Sequence, residues 1–200
     1  MNYLHSYMGL LGCLLFMVAL PLTVLKQPRF SRKTITIVIF SMLGLSILPI
    51  NELILLAYIR AVLADLSITS MIMLSILIAS SYSGQQYIKS HDQHLLGNSL
   101  LVGALVLYPL GLGLTPYDTY ASGYGSLVFF TGLLVFAAYL LWKKAYFVLG
   151  LLLLAIITYL LNVLPSDNLW DYLLDPWIVI ATITRRGYSL ARARTPAINQ

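Results

Sequence analysis

Residues 126–164 read SLVFFTGLLVFAAYLLWKKAYFVLGLLLLAIITYLLNVL. Two apolar runs, 126–142 and 145–164, are split by one charged pair, Lys143-Lys144. A bilayer core takes about 20 mostly apolar residues per helix, with roughly 17–25 usual. Two such runs joined by two lysines read as a helical hairpin that crosses a membrane twice, with its turn on the basic side.

The same pattern recurs outward in both directions, at 7–25, 34–50, 67–82, 99–114 and 169–184. The composition agrees. The 200-residue chain is 60% hydrophobic and 10% charged, with mean hydropathy +0.86, whereas soluble domains run about 45–50% apolar and about 25% charged. So few charges cannot cover a soluble globule, and disorder requires low hydrophobicity. The expected fold is an all-α polytopic membrane protein of about seven transmembrane helices. It forms a single integral domain over residues 1–184, with a basic tail at 185–200. The first run lacks a basic leader and a small-residue cleavage site, so it reads as a retained span. The lone Cys13 lies inside that run and reads as a small packing residue, since no disulfide framework is available.

Orientation follows from the loops. Lys26, Arg29, Arg32, Lys33, Lys89, Lys143, Lys144, Arg185, Arg186, Arg192 and Arg194 fall on one side, with Asp92 as its only acid. Glu52, Asp65, Asp118, Asp167, Asp171 and Asp175 fall on the other, with Arg60 as its only base. The positive-inside rule then places the N-terminus outside and the C-terminus in the cytoplasm. Short loops and the lack of an N-x-S/T acceptor suit a bacterial inner membrane with a periplasmic N-terminus. The net charge of +5 is topogenic on this reading, with the bases attracted to lipid headgroups, and nucleic acid is not an expected partner. His91 and His94 read as a solvated loop.

The acidic side carries the functional expectation. Each outward-running helix after the first loop ends in a proline followed by an acid: LPINE at 48–52, TPYD at 115–118 and LPSDN at 164–168. Proline is a common stop after a helix. A helix C-terminus, however, favours cations over anions, so the acids need another reason, and capping of the next element is one.

Two readings of Asp175-Pro176 compete. Asp175 can N-cap a helix with Pro176 at its first position, which leaves 167–174 as a separate turn. The favoured reading is instead one kinked helix from Leu169, with Pro176 at the kink. Asp167, Asp171 and Asp175 then fall at i, i+4 and i+8, where like charges repel unless a base, a cation or raised pKa values intervene. Trp170, Tyr172 and Trp177 read as a membrane-interface belt.

Residues 51–66, NELILLAYIRAVLADL, are too polar for an eighth span and read as a short interfacial or re-entrant helix. At about 100° per residue, Asn51, Tyr58 and Asp65 share a stripe, while Glu52 and Arg60 lie on another face. Asp65 then points about 140° from Arg60. A charge at the bilayer centre costs about 2.5–3.5 kcal/mol and normally pairs within the protein. Arg60 is therefore expected to pair with Asp118, Asp171 or Asp175, packing this segment over the fourth and seventh spans. Tyr117, Tyr120 and Tyr124, with Gly123 and Gly125, form a loop suited to a belt or to a partner surface. Tyr108-Pro109 and Gly111-Leu112-Gly113 predict a bent or unwound outer half for the fourth span.

The expected site is thus an outer polar cluster of Asn51, Glu52, Tyr58, Arg60, Asp65, Tyr117, Asp118, Asp167, Asp171 and Asp175. No HExxH, Walker A or GxSxG motif occurs, and the resemblance of LPINEL to LPSDNL is too short to establish a duplication. Three functions compete. The leading one is a non-catalytic accessory subunit that docks a membrane or periplasmic protein of envelope lipid or polysaccharide assembly. The second is an enzyme on a lipid-linked substrate, with a divalent cation at the outer carboxylates. The third is a small transporter passing Glu52, Arg60 and Asp65.

Overall fold

The computed structural model describes residues 3–24, 31–113 and 118–194, and among these the chain is nearly all helix. Helix α1 is Tyr3–Val24 and α2 is Arg32–Ser46. Ser31 caps α2, its hydroxyl accepting from the Thr34 amide at 3.3 Å, as short polar N-caps do. Past α2 the chain makes a minimal antiparallel ladder, Pro49–Ile50 against Leu53–Ile54. Its tip is Asn51-Glu52, with Asn51 at φ 54°, a left-handed conformation that asparagine tolerates.

Helix α3 (Leu55–Leu63) follows directly. Next come α4 (Ile68–Ser83), closed by Gly84 in the left-handed conformation, and α5 (Ser90–Gly111). A 3-10 turn, Tyr120–Gly123, precedes α6 (Leu127–Trp142). The Lys143-Lys144 turn joins α6 to α7 (Tyr146–Leu160). A single turn, α8 (Trp170–Leu173), leads to α9 (Pro176–Arg194).

Helix α1 packs against α2, α3 and α4, while α5 packs against α7 and α9, and α6 against α7. Contacts between α4 and α7 join the two groups. At the seam Leu66, Ile68, Met71, Ala155, Leu164, Leu169 and Tyr172 form one buried cluster. Cys13 is fully buried among Met17, Leu56 and Leu63, as expected for a packing residue.

Two described helices, Tyr3–Thr23 and Ser90–Gly111, are long and apolar enough to cross a membrane by length and composition. Ile68–Ser83, Leu127–Trp142 and Tyr146–Leu160 are apolar but shorter. The apolar runs exceed the helices because local turns end them. Asn162, for example, takes φ 50° after α7, leaving the last apolar residues before Pro165 outside the helix.

Three expectations are corrected. The segment from Leu169 is not one kinked helix. Leu174 is extended (φ −147°, ψ 137°), separating α8 from α9. The Asp175 carboxylate accepts from the amides of Trp177 and Ile178, and proline at the next position has no N–H to lose. Residues 51–66 are not one helix either, since only Leu55–Leu63 is helical. Of the bent or unwound alternatives for the outer half of α5, the unwound one is excluded, because the helix continues through Pro109 to Gly111.

Candidate functional site

All the polar groups singled out in the sequence except Tyr117, which lies outside the described residues, can now be placed. They form two assemblies and not one cluster.

The first surrounds α3. Arg60 and Asp65 make a bidentate ion pair, Nε to Oδ1 at 2.7 Å and Nη2 to Oδ2 at 3.0 Å. The expected partners Asp118, Asp171 and Asp175 lie elsewhere. Helical geometry would have pointed Asp65 away, but α3 ends at Leu63 and Ala64 takes φ 60°, ψ −165°. That conformation belongs almost solely to glycine and costs an L-residue about 1–3 kcal/mol. It reverses the chain and returns Asp65 to the guanidinium.

Neighbouring bonds hold the reversal. The Ala64 amide donates to the Arg60 carbonyl, and Trp177 Nε1 donates to the Leu63 carbonyl at 3.1 Å. The pair lies directly on the α1 backbone at Gly9, where a Cβ would overlap both the Asp65 carboxylate and the Arg60 guanidinium. Tyr58 Oη donates to the Ile50 carbonyl at 3.1 Å and pins the hairpin to α3. Asn51 and Glu52 stand exposed at the hairpin tip.

The second assembly joins the 118–126 loop to the 164–175 loop. Asp118 accepts from the Ala121 amide at 3.2 Å and caps the 3-10 turn. Asn168, fully buried, donates from Nδ2 to the Tyr120 carbonyl and accepts from the Trp170 amide, both at 2.9 Å. The Leu169 amide donates to the Gly123 carbonyl, and Trp170 Nε1 to the Thr119 carbonyl. Gly123 is obligatory, since a Cβ there would overlap Asn168 Oδ1. Asp171 accepts from the hydroxyls of Tyr120 and Ser166. Burial first, and then the bond to Asp171, push the Tyr120 phenol well above its ordinary pKa. Asp167 is exposed.

Asp175 sits below this layer and is only 6% exposed. One carboxylate oxygen caps α9. The other accepts from the Ser67 amide at 2.9 Å and the Ser67 hydroxyl at 2.8 Å. Ser67 itself caps α4, its Oγ accepting from the Ser70 amide. One carboxylate therefore stabilises the N-termini of two helices, where negative charge is favoured.

The aromatic belt expected at Trp170, Tyr172 and Trp177 is corrected, because these side chains point inward. Trp170 and Tyr172 are buried. Tyr172 Oη both donates to the Leu164 carbonyl and accepts from the Leu164 amide. Trp177 packs edge-on against Phe16. Polar ring atoms with buried backbone partners explain this choice over an interfacial one.

Sequence reading passed over Ser67 and Asn168 as site residues. The signals were present: Ser67 is a polar residue immediately before an apolar run, and Ser-Asp-Asn before Leu169 has turn chemistry. Among the described residues, no three His, Cys, Asp or Glu side chains converge to hold a metal ion. His91 and His94 lie in the opening turns of α5, with His91 Nε2 bonded to the Lys143 carbonyl at 3.1 Å. Comparison of the chain with protein families, with curated proteins and with solved structures returned no match.

Proposed function

We propose that this chain is a multi-pass membrane protein, N-terminus outside, that serves as a non-catalytic accessory subunit docking a partner protein on its acidic face. The observation that carries this reading is the use of the carboxylates. Asp118, Asp171 and Asp175 accept hydrogen bonds from the chain's own groups, and Asp65 pairs with Arg60. The bonds tie two loops into a fixed layer with Asp167 and Tyr124 exposed on it, while Glu52 stands exposed at the tip of the separate hairpin. A rigid surface with exposed acidic and aromatic groups suits recognition, since ordering costs are already met before the partner arrives.

Membrane insertion is supported by large apolar side chains facing outward on several helices. Phe40 is 68% exposed, Leu105 71%, Leu134 71% and Leu160 66%. Soluble monomers rarely expose contiguous apolar area above a few hundred Å². The sorting of bases from acids supports an orientation with the acidic face outside, periplasmic in an inner-membrane setting.

Site-specific photo-crosslinking in cells tests the proposal. A crosslinker at Glu52, Tyr124 or Asp167 is expected to yield one discrete protein adduct, identified by mass spectrometry. The same crosslinker at Leu134 is expected to give lipid adducts only. Lipid adducts alone from all four positions would overturn the docking role.

A further inference from the structure

Helix α3 separates two openings of different chemistry. On one flank, α1 (Phe16, Met17, Leu20), α2 (Met42) and α3 (Ile59, Val62) wall an apolar groove of about 840 Å³. The groove is open at its side, with Leu20 54% and Val62 79% exposed. On the other flank lies a smaller pocket of about 490 Å³, walled by alanines 57, 61 and 64 with Arg60 and Asp65.

The donors of Arg60 give the second opening its character. A guanidinium carries five N–H groups in a fixed fork. Asp65 occupies the Nε and Nη2 edge. Nη1 reaches only the Ser6 carbonyl, at 3.5 Å. The side chain is 27% exposed, and Asp65 and Ser6 together take three of the five N–H groups, which leaves two to offer. An oxyanion there would receive charge-assisted bonds in fork geometry.

We propose that one diacyl glycerophospholipid straddles α3, with its phosphate on the free edge of Arg60 and one acyl chain in the apolar groove. The inference rests on the membrane reading above and goes beyond partner docking. The two halves of an amphiphile match the two flanks, and the separation between them is one helix, about 10–12 Å across with side chains. The strained Ala64 has a role in this arrangement. It returns Asp65 to the guanidinium and so fixes which edge stays open, in keeping with the clustering of backbone strain at ligand clamps.

Native mass spectrometry of the full chain, ejected from phosphatidylglycerol nanodiscs doped with dioleoylglycerol, tests this. One phosphatidylglycerol is expected to remain bound per chain, with dioleoylglycerol, which lacks the phosphate, retained at least tenfold less. Val62→Trp fills the mouth of the groove from an exposed position and is expected to lower the bound fraction at least tenfold. Arg60→Gln removes the positive charge and the guanidinium fork and is expected to do the same. Equal retention of the two lipids, or wild-type retention in both variants, would overturn the proposal. A chain extracted from cell membranes by alkaline carbonate would defeat the membrane reading as well. A chain that resists extraction but carries no phospholipid would defeat this proposal alone.

Discussion

Removing the Asp175 carboxylate leaves three donors without their acceptor, the amides of Ser67, Trp177 and Ile178, while the Ser67 hydroxyl keeps Ser70 Oγ at 3.1 Å. An unsatisfied buried group costs about 1–3 kcal/mol, and water can reach only some of these. Asp175→Ala is therefore expected to cost about 3 kcal/mol or more, read as a lowered melting temperature in detergent. Asp167→Ala, at an exposed position, serves as the control and is expected to change it little. The role of Asp175 was legible, because Asp-Pro before an apolar run is a helix start. The spacing of three aspartates at i, i+4 and i+8 pointed the other way, and local capping outweighed it. Ala64 makes the opposite case. Nothing in its identity announces a positive φ, so the Arg60–Asp65 pair was hidden from any helical projection. Ala64→Gly relieves about 1–3 kcal/mol of strain against the greater chain entropy glycine loses on folding, about 0.5–1 kcal/mol. The variant is expected to melt higher, with a net gain of about 1 kcal/mol. A lower melting temperature would contradict the strained geometry.

At the scale of elements, helix length makes a separate prediction. Helices α2 and α7 have 15 residues, and α4 and α6 have 16. At 1.5 Å per residue these span about 22–24 Å, against about 30 Å for a typical hydrocarbon core. On the membrane reading proposed above, a bilayer around these four helices thins, at fractions of a kcal/mol per Å. Thermal stability in vesicles of phosphatidylcholines of increasing chain length is expected to peak at short chains, near fourteen carbons by the same mismatch argument (roughly). A monotonic rise toward the longest chains would contradict it. The hairpin of α6 and α7 could be read directly from residues 126–164, because two apolar runs around a lysine pair allow few alternatives. The region around α3 could not, since four successive short features (ladder, helix, reversal and cap) follow one another between Pro49 and Ser67, where periodicity treats 51–66 as one helix. The inward-facing Trp170, Tyr172 and Trp177 were misread for a related reason. Composition reports that an aromatic is amphipathic, and only packing reports which backbone group its polar atom meets.

Across the whole molecule the uneven distribution of charge has a structural origin on the acidic side and, on the membrane reading proposed above, a topological one on the basic side. The acids gather where α4 and α9 begin, and helix N-termini favour negative charge. Asp175 serves both helices directly, and Asp65 stands two residues before the Ser67 cap. The bases gather at the opposite end, where Arg185 Nη2 donates to Gln93 Oε1 and Arg186 Nη2 to Asn98 Oδ1, binding α9 to the start of α5. Both patterns are what the proposed orientation, with the acidic end outward across a membrane, requires. The most direct test labels single cysteines in intact cells with a membrane-impermeant maleimide, in a Cys13→Ser background. Asp167→Cys and Glu52→Cys are expected to react at once, and Lys143→Cys only after permeabilisation. Labelling of Lys143→Cys in intact cells, with Asp167→Cys and Glu52→Cys protected, would contradict the account.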